Sequence, residues 1–140
     1  MKQQTCNWRS VVWSAALIFL IPHILYELIG LVYGIYVGFQ VRGDSEMIAE
    51  GLAVLSASSL YQSLPYDFTA VVALWRGWVL SNILKALVAA VIVAALWFLL
   101  GMVFNDPLRV VLIEAGGTLS FTVGMCVLGT LLHWRRPVTA

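Results

Sequence analysis

Charged residues are scarce in this chain of 140 residues: Lys, Arg, Asp and Glu make up 11% of it, against about 25% in soluble domains. No polar stretch is long enough to fold by itself as a soluble domain. The net charge is +1 and the basic residues are scattered along the chain. Nucleic-acid-binding proteins instead cluster their cations on one surface. These shortages argue against a soluble domain and against a nucleic-acid-binding protein.

Cysteine and histidine are also rare, with two of each. Cys6 precedes the first long apolar segment and Cys126 lies inside the last one, so neither has a plausible disulfide partner. His23 and His133 fall at different depths of their segments, whereas a bis-histidine haem needs two imidazoles at one depth. The sequence has no Ser/His/Asp set, metal-binding motif or phosphate-binding loop. We therefore expect no cofactor, no metal and no enzymatic activity.

Long apolar runs dominate the chain, which is 61% hydrophobic and has a mean hydropathy of +0.93. Three segments exceed the roughly 20 apolar residues that cross the hydrocarbon of a bilayer, and a fourth is shorter and more polar. The sequence therefore predicts an all-α, polytopic integral membrane protein with a single transmembrane domain over residues 1–140. The predicted transmembrane helices cover residues 11–39, 47–64, 78–104 and 108–133, with an interfacial segment at residues 65–77.

The distribution of positive charge favours four transmembrane helices, arranged as two hairpins. With four crossings, both termini share one face, and Arg42 and Arg109 are the two basic residues left on the other face. Because cytoplasmic loops carry an excess of Lys and Arg, we expect cytoplasmic termini and a multi-pass protein of a cell membrane, of the bacterial inner-membrane type. Aromatic and basic side chains at the membrane surface act as anchors. We assign this role to Trp75, Arg76, Trp78, Trp134, Arg135 and Arg136.

Glu27 is unusual because it places a carboxylate near the centre of the first apolar segment, where a charge costs at least ~2.5 kcal/mol. His23 lies one helical turn earlier, and Pro22 leaves a backbone carbonyl without its usual donor. One interpretation is a proton or cation relay through His23 and Glu27, beneath an acidic vestibule formed by Glu50 and Glu114. The other is a structural polar pair, with the two outer acids complementing helix dipoles.

Small residues recur at four-residue intervals in the first and last segments. On a helical wheel, the first of these stripes shares a face with His23 and Glu27. Such faces allow two helices to approach closely inside lipid. The pattern does not distinguish a helix of this chain from a helix of another subunit as the partner. The two stripes consist of Gly30, Gly34 and Gly38, and of Gly116, Ser120 and Gly124.

Three functions remain open. The first is a non-enzymatic membrane subunit that packs through its glycine faces into a larger secretion, transport or respiratory complex. Its partners are the lipid bilayer and other membrane subunits or copies of itself. The second is a homo-oligomeric proton or cation conduit that uses Glu27 and His23, and the third is a membrane immunity or exclusion protein. We favour the first, because four short helices carry few polar positions from which to build a selective pore.

Overall fold

The computed structural model describes residues 7–135, and the regular elements within that range are α-helices. Three of them, the first, fourth and fifth, are long and apolar enough to cross a membrane. The predicted all-α class and the three long apolar helices are therefore confirmed, whereas the four crossings and the orientation of the termini stay predictions. Cys6 and Arg136 lie outside the described residues. The helices are α1 (Trp8–Gln40), α2 (Ser45–Ala57), α3 (Ser59–Leu80), α4 (Ile83–Val103) and α5 (Leu108–Trp134).

Local signals explain where α1 and α4 end. The Gly43 N–H donates to the Gly38 carbonyl at 2.9 Å, which closes α1, and Gly43 has the positive φ of 81° that favours glycine. Asp44 then caps α2 by accepting two backbone N–H groups of its first turn, at 3.0 and 3.3 Å. Asn105, with a φ of 58°, ends α4, and Pro107 directly precedes α5. Both connections are short turns that the sequence encodes.

The segment at residues 47–64 differs from the single helix that we predicted. α2 ends at Ala57, Ser58 is extended (φ −68°, ψ 126°), and α3 begins at the next residue. Serine hydroxyls compete with backbone hydrogen bonding, so a serine-rich stretch is a natural place for a helix to break. The Gln62 side chain donates to the Ser56 carbonyl at 3.0 Å and so satisfies an acceptor left over at the end of α2. The polar residues that lowered the hydropathy of this segment mark the break.

Residues 65–77, predicted as a separate interfacial segment, belong to the continuous helix α3. The next break comes at Ser81, whose φ is 49°, and Asn82 then caps α4 by accepting the Lys85 N–H at 3.2 Å. Trp78 consequently belongs to the last turn of α3, although we predicted it as the first residue of the third apolar helix. An asparagine cap inside a polar dipeptide explains why α4 starts later than hydropathy alone indicated.

The chain divides into two compact units, a core unit and a hairpin unit. The core unit contains the residues up to Phe19 and those from Thr69 onward, within the described range. Its α4 and α5 pack against each other, and its interior is filled mainly by small side chains. The hairpin unit covers residues 20–68, all of which the structure describes, and there only Pro22 and Val37 are buried. Buried residues of the core unit include Val11, Ser14, Ala15, Ile18, Ala86, Ala89, Ala90, Val93, Thr122, Cys126 and Thr130.

Candidate functional site

An open groove of about 600 Å³ lies between α1 and the α2–α3 segment of the hairpin unit. Its lining is mostly aliphatic, with two glycines of the predicted stripe at Gly30 and Gly34. Among the described residues that line it, Glu27 is the one with an acidic side chain, and none is Lys, Arg or His. The groove is lined by Tyr26, Glu27, Gly30, Leu31, Gly34, Ile35, Ile48, Leu52, Leu55, Ser56 and Tyr61.

The glycine stripe of α1 faces α2 of the same chain. A Cβ added to Gly34 or Gly38 would lie 3.6 or 3.7 Å from the nearest α2 side chain, which is ordinary van der Waals contact. The closest approach involves a glycine outside the stripe: a Cβ on Gly51 would lie 2.8 Å from Val37 Cγ1. Gly51 was not predicted as a contact, because no second small residue stands four positions from it in the sequence. Gly34 and Gly38 thus leave room beside α2 instead of making its tightest contact.

Two tyrosines pack together in the groove. The Tyr26 and Tyr61 rings stack with centroids 4.4 Å apart, and the Tyr61 hydroxyl lies 3.5 Å from the Tyr26 carbonyl oxygen as a long hydrogen bond. Gly30 makes space for this arrangement, since a Cβ there would lie 2.8 Å from the Tyr61 hydroxyl. Sequence reasoning gave no signal for the pair, because its members belong to helices whose register was unknown. The absence of a side chain at Gly30 therefore makes room for the Tyr61 hydroxyl.

The structure places Glu27 and His23 on one surface of α1, as their spacing predicts. Both line a second open depression of about 500 Å³, together with Ile24, Leu28 and Leu31. The Glu27 side chain is exposed and also faces the α1–α2 groove. A carboxylate in this position can accept hydrogen bonds from an incoming donor or take up a proton or cation. The relay interpretation of His23 and Glu27 stays a prediction.

Neither acid of the predicted vestibule is among the residues that line this groove. Glu50 is exposed on α2 and is not among the residues that line the groove, and Glu114 is exposed on α5 in the core unit. The acidic vestibule therefore stays a prediction. Within residues 7–135, no group of three His, Cys, Asp or Glu side chains comes close enough together to hold a metal ion.

The second small-residue stripe faces outward from α5. Gly116, Ser120 and Gly124 are all exposed, and a Cβ on either glycine would meet nothing within 4 Å. The Ser120 hydroxyl donates to the Gly116 carbonyl at 3.0 Å, a bond inside the same helix. Within the described part of the chain, this stripe has no helix packed on it. Its predicted use as an interface would require another molecule.

A different face of α5 makes the tight contact in the core unit, where it crosses α3. A Cβ on Gly77 would overlap the Cys126 carbonyl oxygen, and one on Gly129 would overlap the Leu74 carbonyl oxygen. The Thr130 hydroxyl lies within hydrogen-bond distance of the Gly77 and Cys126 carbonyls, at 3.1 and 3.0 Å. This backbone contact was not predicted from the sequence. The sequence signal for this contact was the four-residue spacing of Cys126 and Thr130, next to Gly129.

Those predicted anchors that the structure describes lie in the core unit. Trp75, Trp134 and Arg135 are exposed, as expected at a membrane surface. Trp78 instead packs edge-on against His133, with ring centroids 5.7 Å apart. The Trp134 indole N–H also donates to the Ser81 carbonyl at 3.1 Å, which ties the end of α5 to the end of α3. The anchoring assignment stays a prediction, and some of these rings have structural contacts as well.

Three helices of this length and apolarity are typical of an α-helical membrane protein. Comparison with protein-family models, with curated proteins and with solved structures finds no match to this chain. The geometry of its two units is therefore the basis for its proposed role.

Proposed function

We propose that this chain is a non-enzymatic integral membrane subunit whose hairpin unit receives a transmembrane helix of another subunit. A single observation carries the proposal: the Glu27 carboxylate is exposed on a groove wall of α1, a helix long and apolar enough to cross a membrane. Lipid tails offer no hydrogen-bond donor to a carboxylate, so polar residues at this depth face protein or water. The groove beside Glu27 offers a surface where a helix of another subunit can pack against this carboxylate.

The lining of the groove defines the chemistry of its occupant. Gly30 and Gly34 permit close approach of a backbone, and the leucine and isoleucine side chains around them provide apolar contact. None of the described lining residues is a cation that neutralises Glu27. The matching partner is therefore a transmembrane helix with a basic or hydroxyl-bearing side chain at the depth of Glu27. Association of this kind needs no catalytic group on the chain.

The same proposal includes the topology. We infer four crossings, with α2 and α3 together making the return crossing between α1 and α4, and with both termini in the cytoplasm. Arg9, Arg76 and Lys85 on the cytoplasmic side, against Arg42 and Arg109 on the other, support this orientation. A multi-pass protein of a cell membrane, of the bacterial inner-membrane type, has this charge bias.

One observation favours the conduit as a second candidate. The helix break at Ser58 lies next to Ser56, which lines the same groove as Glu27. Interrupted helices in transport proteins present backbone carbonyls to ions beside such carboxylates. In this alternative, copies of the chain occupy one another's grooves, and Glu27→Gln abolishes proton or cation flux in reconstituted vesicles. Retained flux in that variant would remove Glu27 from the mechanism.

Photo-crosslinking from the groove tests the proposal in native membranes. A photoreactive residue at Leu31, which lines the groove, is expected to capture a transmembrane peptide of a different protein. Gly34→Leu should abolish the crosslink by filling the groove. Ala53→Leu, which introduces the same side chain at an exposed α2 position outside the lining, should preserve it. Crosslinks to peptides of this chain would favour the conduit, and crosslinks to lipid alone would contradict docking.

A further inference from the structure

A second polar pocket lies in the core unit, where the first turns of α1 meet Arg76 of α3. Its volume is about 470 Å³. Two of its lining residues are arginines from different helices, and none of its described lining residues is acidic. Asn7 and Ser10 add neutral polar groups. The pocket is lined by Asn7, Arg9, Ser10, Trp13, Leu17 and Arg76.

Arg76 is held in a fixed orientation by a buried serine. Its Nε and Nη2 atoms donate to Ser14 Oγ at 3.0 and 2.9 Å, and Ser14 is 0% exposed. The Ser14 hydroxyl in turn donates to the Ser10 carbonyl at 2.7 Å. A hydroxyl has one proton and two lone pairs, so this group is fully used. Ser14 is therefore a positioning residue for the guanidinium.

The oriented guanidinium keeps hydrogen-bonding capacity for a further acceptor. A guanidinium has five N–H donors, and the bonds to Ser14 engage two of them. The Trp75 ring lies 5.1 Å from the guanidinium carbon, a contact that leaves the remaining N–H groups available. Arg76 is half-buried, which partly desolvates its charge, and arginine stays protonated at physiological pH. An anion is the acceptor that compensates a partly desolvated cation.

The wall of the pocket changes from polar to apolar along α1. Arg9, Trp13 and Leu17 are spaced four residues apart and share one face, so a cation is followed by an indole and then by an aliphatic side chain. Trp13 is 62% exposed and Leu17 is half-buried. This order matches a phospholipid entering the membrane, with its phosphate at the surface and its acyl chain below. A free phosphate ion would leave Trp13 and Leu17 unused.

We propose that this pocket binds the phosphate group of an anionic membrane lipid between Arg9 and the Ser14-oriented Arg76. Guanidinium groups bind phosphate through paired N–H donors, which a single lysine does not reproduce. The site belongs to the core unit and is independent of the groove beside Glu27. In this proposal, Arg9 and Arg76 bind a specific ligand in addition to being attracted to the charged membrane surface.

Native mass spectrometry of the full chain in mild detergent tests this proposal with phosphatidylglycerol and phosphatidylcholine of matched acyl chains. We expect retention of one phosphatidylglycerol, about tenfold stronger than that of phosphatidylcholine, because the choline cation of the second lipid offsets the charge of its phosphate and is repelled by the two arginines. Arg76→Gln should remove this preference. Arg9→Gln should weaken it several-fold, and because Arg9 is exposed we expect this variant to fold normally. Arg135→Gln, an exposed cation outside the pocket, is the charge-matched control and should bind like the unmodified chain.

Ser14→Ala separates positioning from a purely structural role. This variant should lose lipid preference, and a second variant, Ser14→Thr, should restore much of it because the hydroxyl returns. Inorganic phosphate in excess should fail to displace the lipid; displacement would assign the site to free phosphate. Equal retention of the two lipids, or unchanged retention in both Arg76→Gln and Arg9→Gln, would overturn the proposal.

Discussion

The core unit and the hairpin unit each contain part of the long apolar helix α1, yet they differ sharply in what they bury. In the core unit, alanines at Ala86, Ala90 and Ala94 and a backbone contact at Gly77 and Gly129 fill the interior. In the hairpin unit, large side chains such as Phe39, at 82% exposure, point outward. The difference teaches that, inside lipid, small residues and close backbones identify a core, whereas apolarity by itself does not.

The comparison also assigns different roles to the two units. Tight crossings and hydrogen bonds between helices give the core unit its stability, since lipid removes most of the hydrophobic driving force between helices. The hairpin unit has few buried contacts and retains an open groove with an exposed carboxylate. Substitutions in the core unit should therefore change folding, and substitutions in the hairpin unit should change association.

The largest expected effect is on the α3–α5 crossing. Gly129→Ala places a methyl group on the Leu74 carbonyl oxygen, which cannot move without shifting α3. We expect a loss of about 3 kcal/mol in the free energy of unfolding, measured by titration with dodecyl sulfate and tryptophan fluorescence. Gly124→Ala, where the added methyl meets nothing within 4 Å, should be neutral or stabilising by up to about 1 kcal/mol. Equal effects of the two variants would contradict the packing of this crossing.

A smaller effect is expected from the hydroxyl at the same crossing. Thr130→Val keeps the shape of a buried side chain but removes its hydrogen bonding to the Gly77 and Cys126 carbonyls. We expect a loss of about 1 kcal/mol in the free energy of unfolding, within the range for interhelical hydrogen bonds in membranes. Thr118→Val, about three turns before Thr130 on the same helix, is the matched control. An unchanged stability of Thr130→Val would show that packing alone stabilises the core unit.

Much of the fold could be predicted from hydropathy and turn chemistry. The three long apolar helices follow from the length of their segments, and Gly43 marks the end of α1 while Pro107 marks the start of α5. The break at Ser58 was not predicted, because a run of moderately apolar residues around it resembled one helix. Its signal was chemical, since serines compete with the backbone for hydrogen bonds.

The candidate sites show a different limit of sequence reasoning. The glycine stripe of α1 and the shared face of His23 and Glu27 follow from helical periodicity, which is local. The use of Gly129 instead of Gly124 as the contact of α5 depends on which face meets α3, and that is decided by packing between distant segments. The Ser14 to Arg76 hydrogen bonds have the same origin, because those residues are far apart in the chain.

A still smaller effect on stability is expected at the helix break of the hairpin unit. Gln62→Met retains the length of the side chain but removes the donor to the Ser56 carbonyl. Because both residues are exposed, other donors can replace this bond, and we expect a loss of about 0.5 kcal/mol or less in the same unfolding titration. A loss larger than that of Thr130→Val would mean that the break contributes to stability as strongly as the core crossing, and would weaken the contrast between the units.

The smallest effect on stability should accompany the largest effect on association. At Gly34→Leu the added Cβ lies at an ordinary 3.6 Å from Leu52 Cδ2, and the open groove offers space for the rest of the side chain, so we expect the free energy of unfolding to change by less than about 0.5 kcal/mol. The same side chain occupies the space proposed for the partner helix. Co-purification of the crosslinked partner should therefore fall sharply while Ala53→Leu behaves like the unmodified chain. If Gly34→Leu instead unfolds the isolated protein, the groove is part of the core, and the division between a stabilising unit and an associating unit fails.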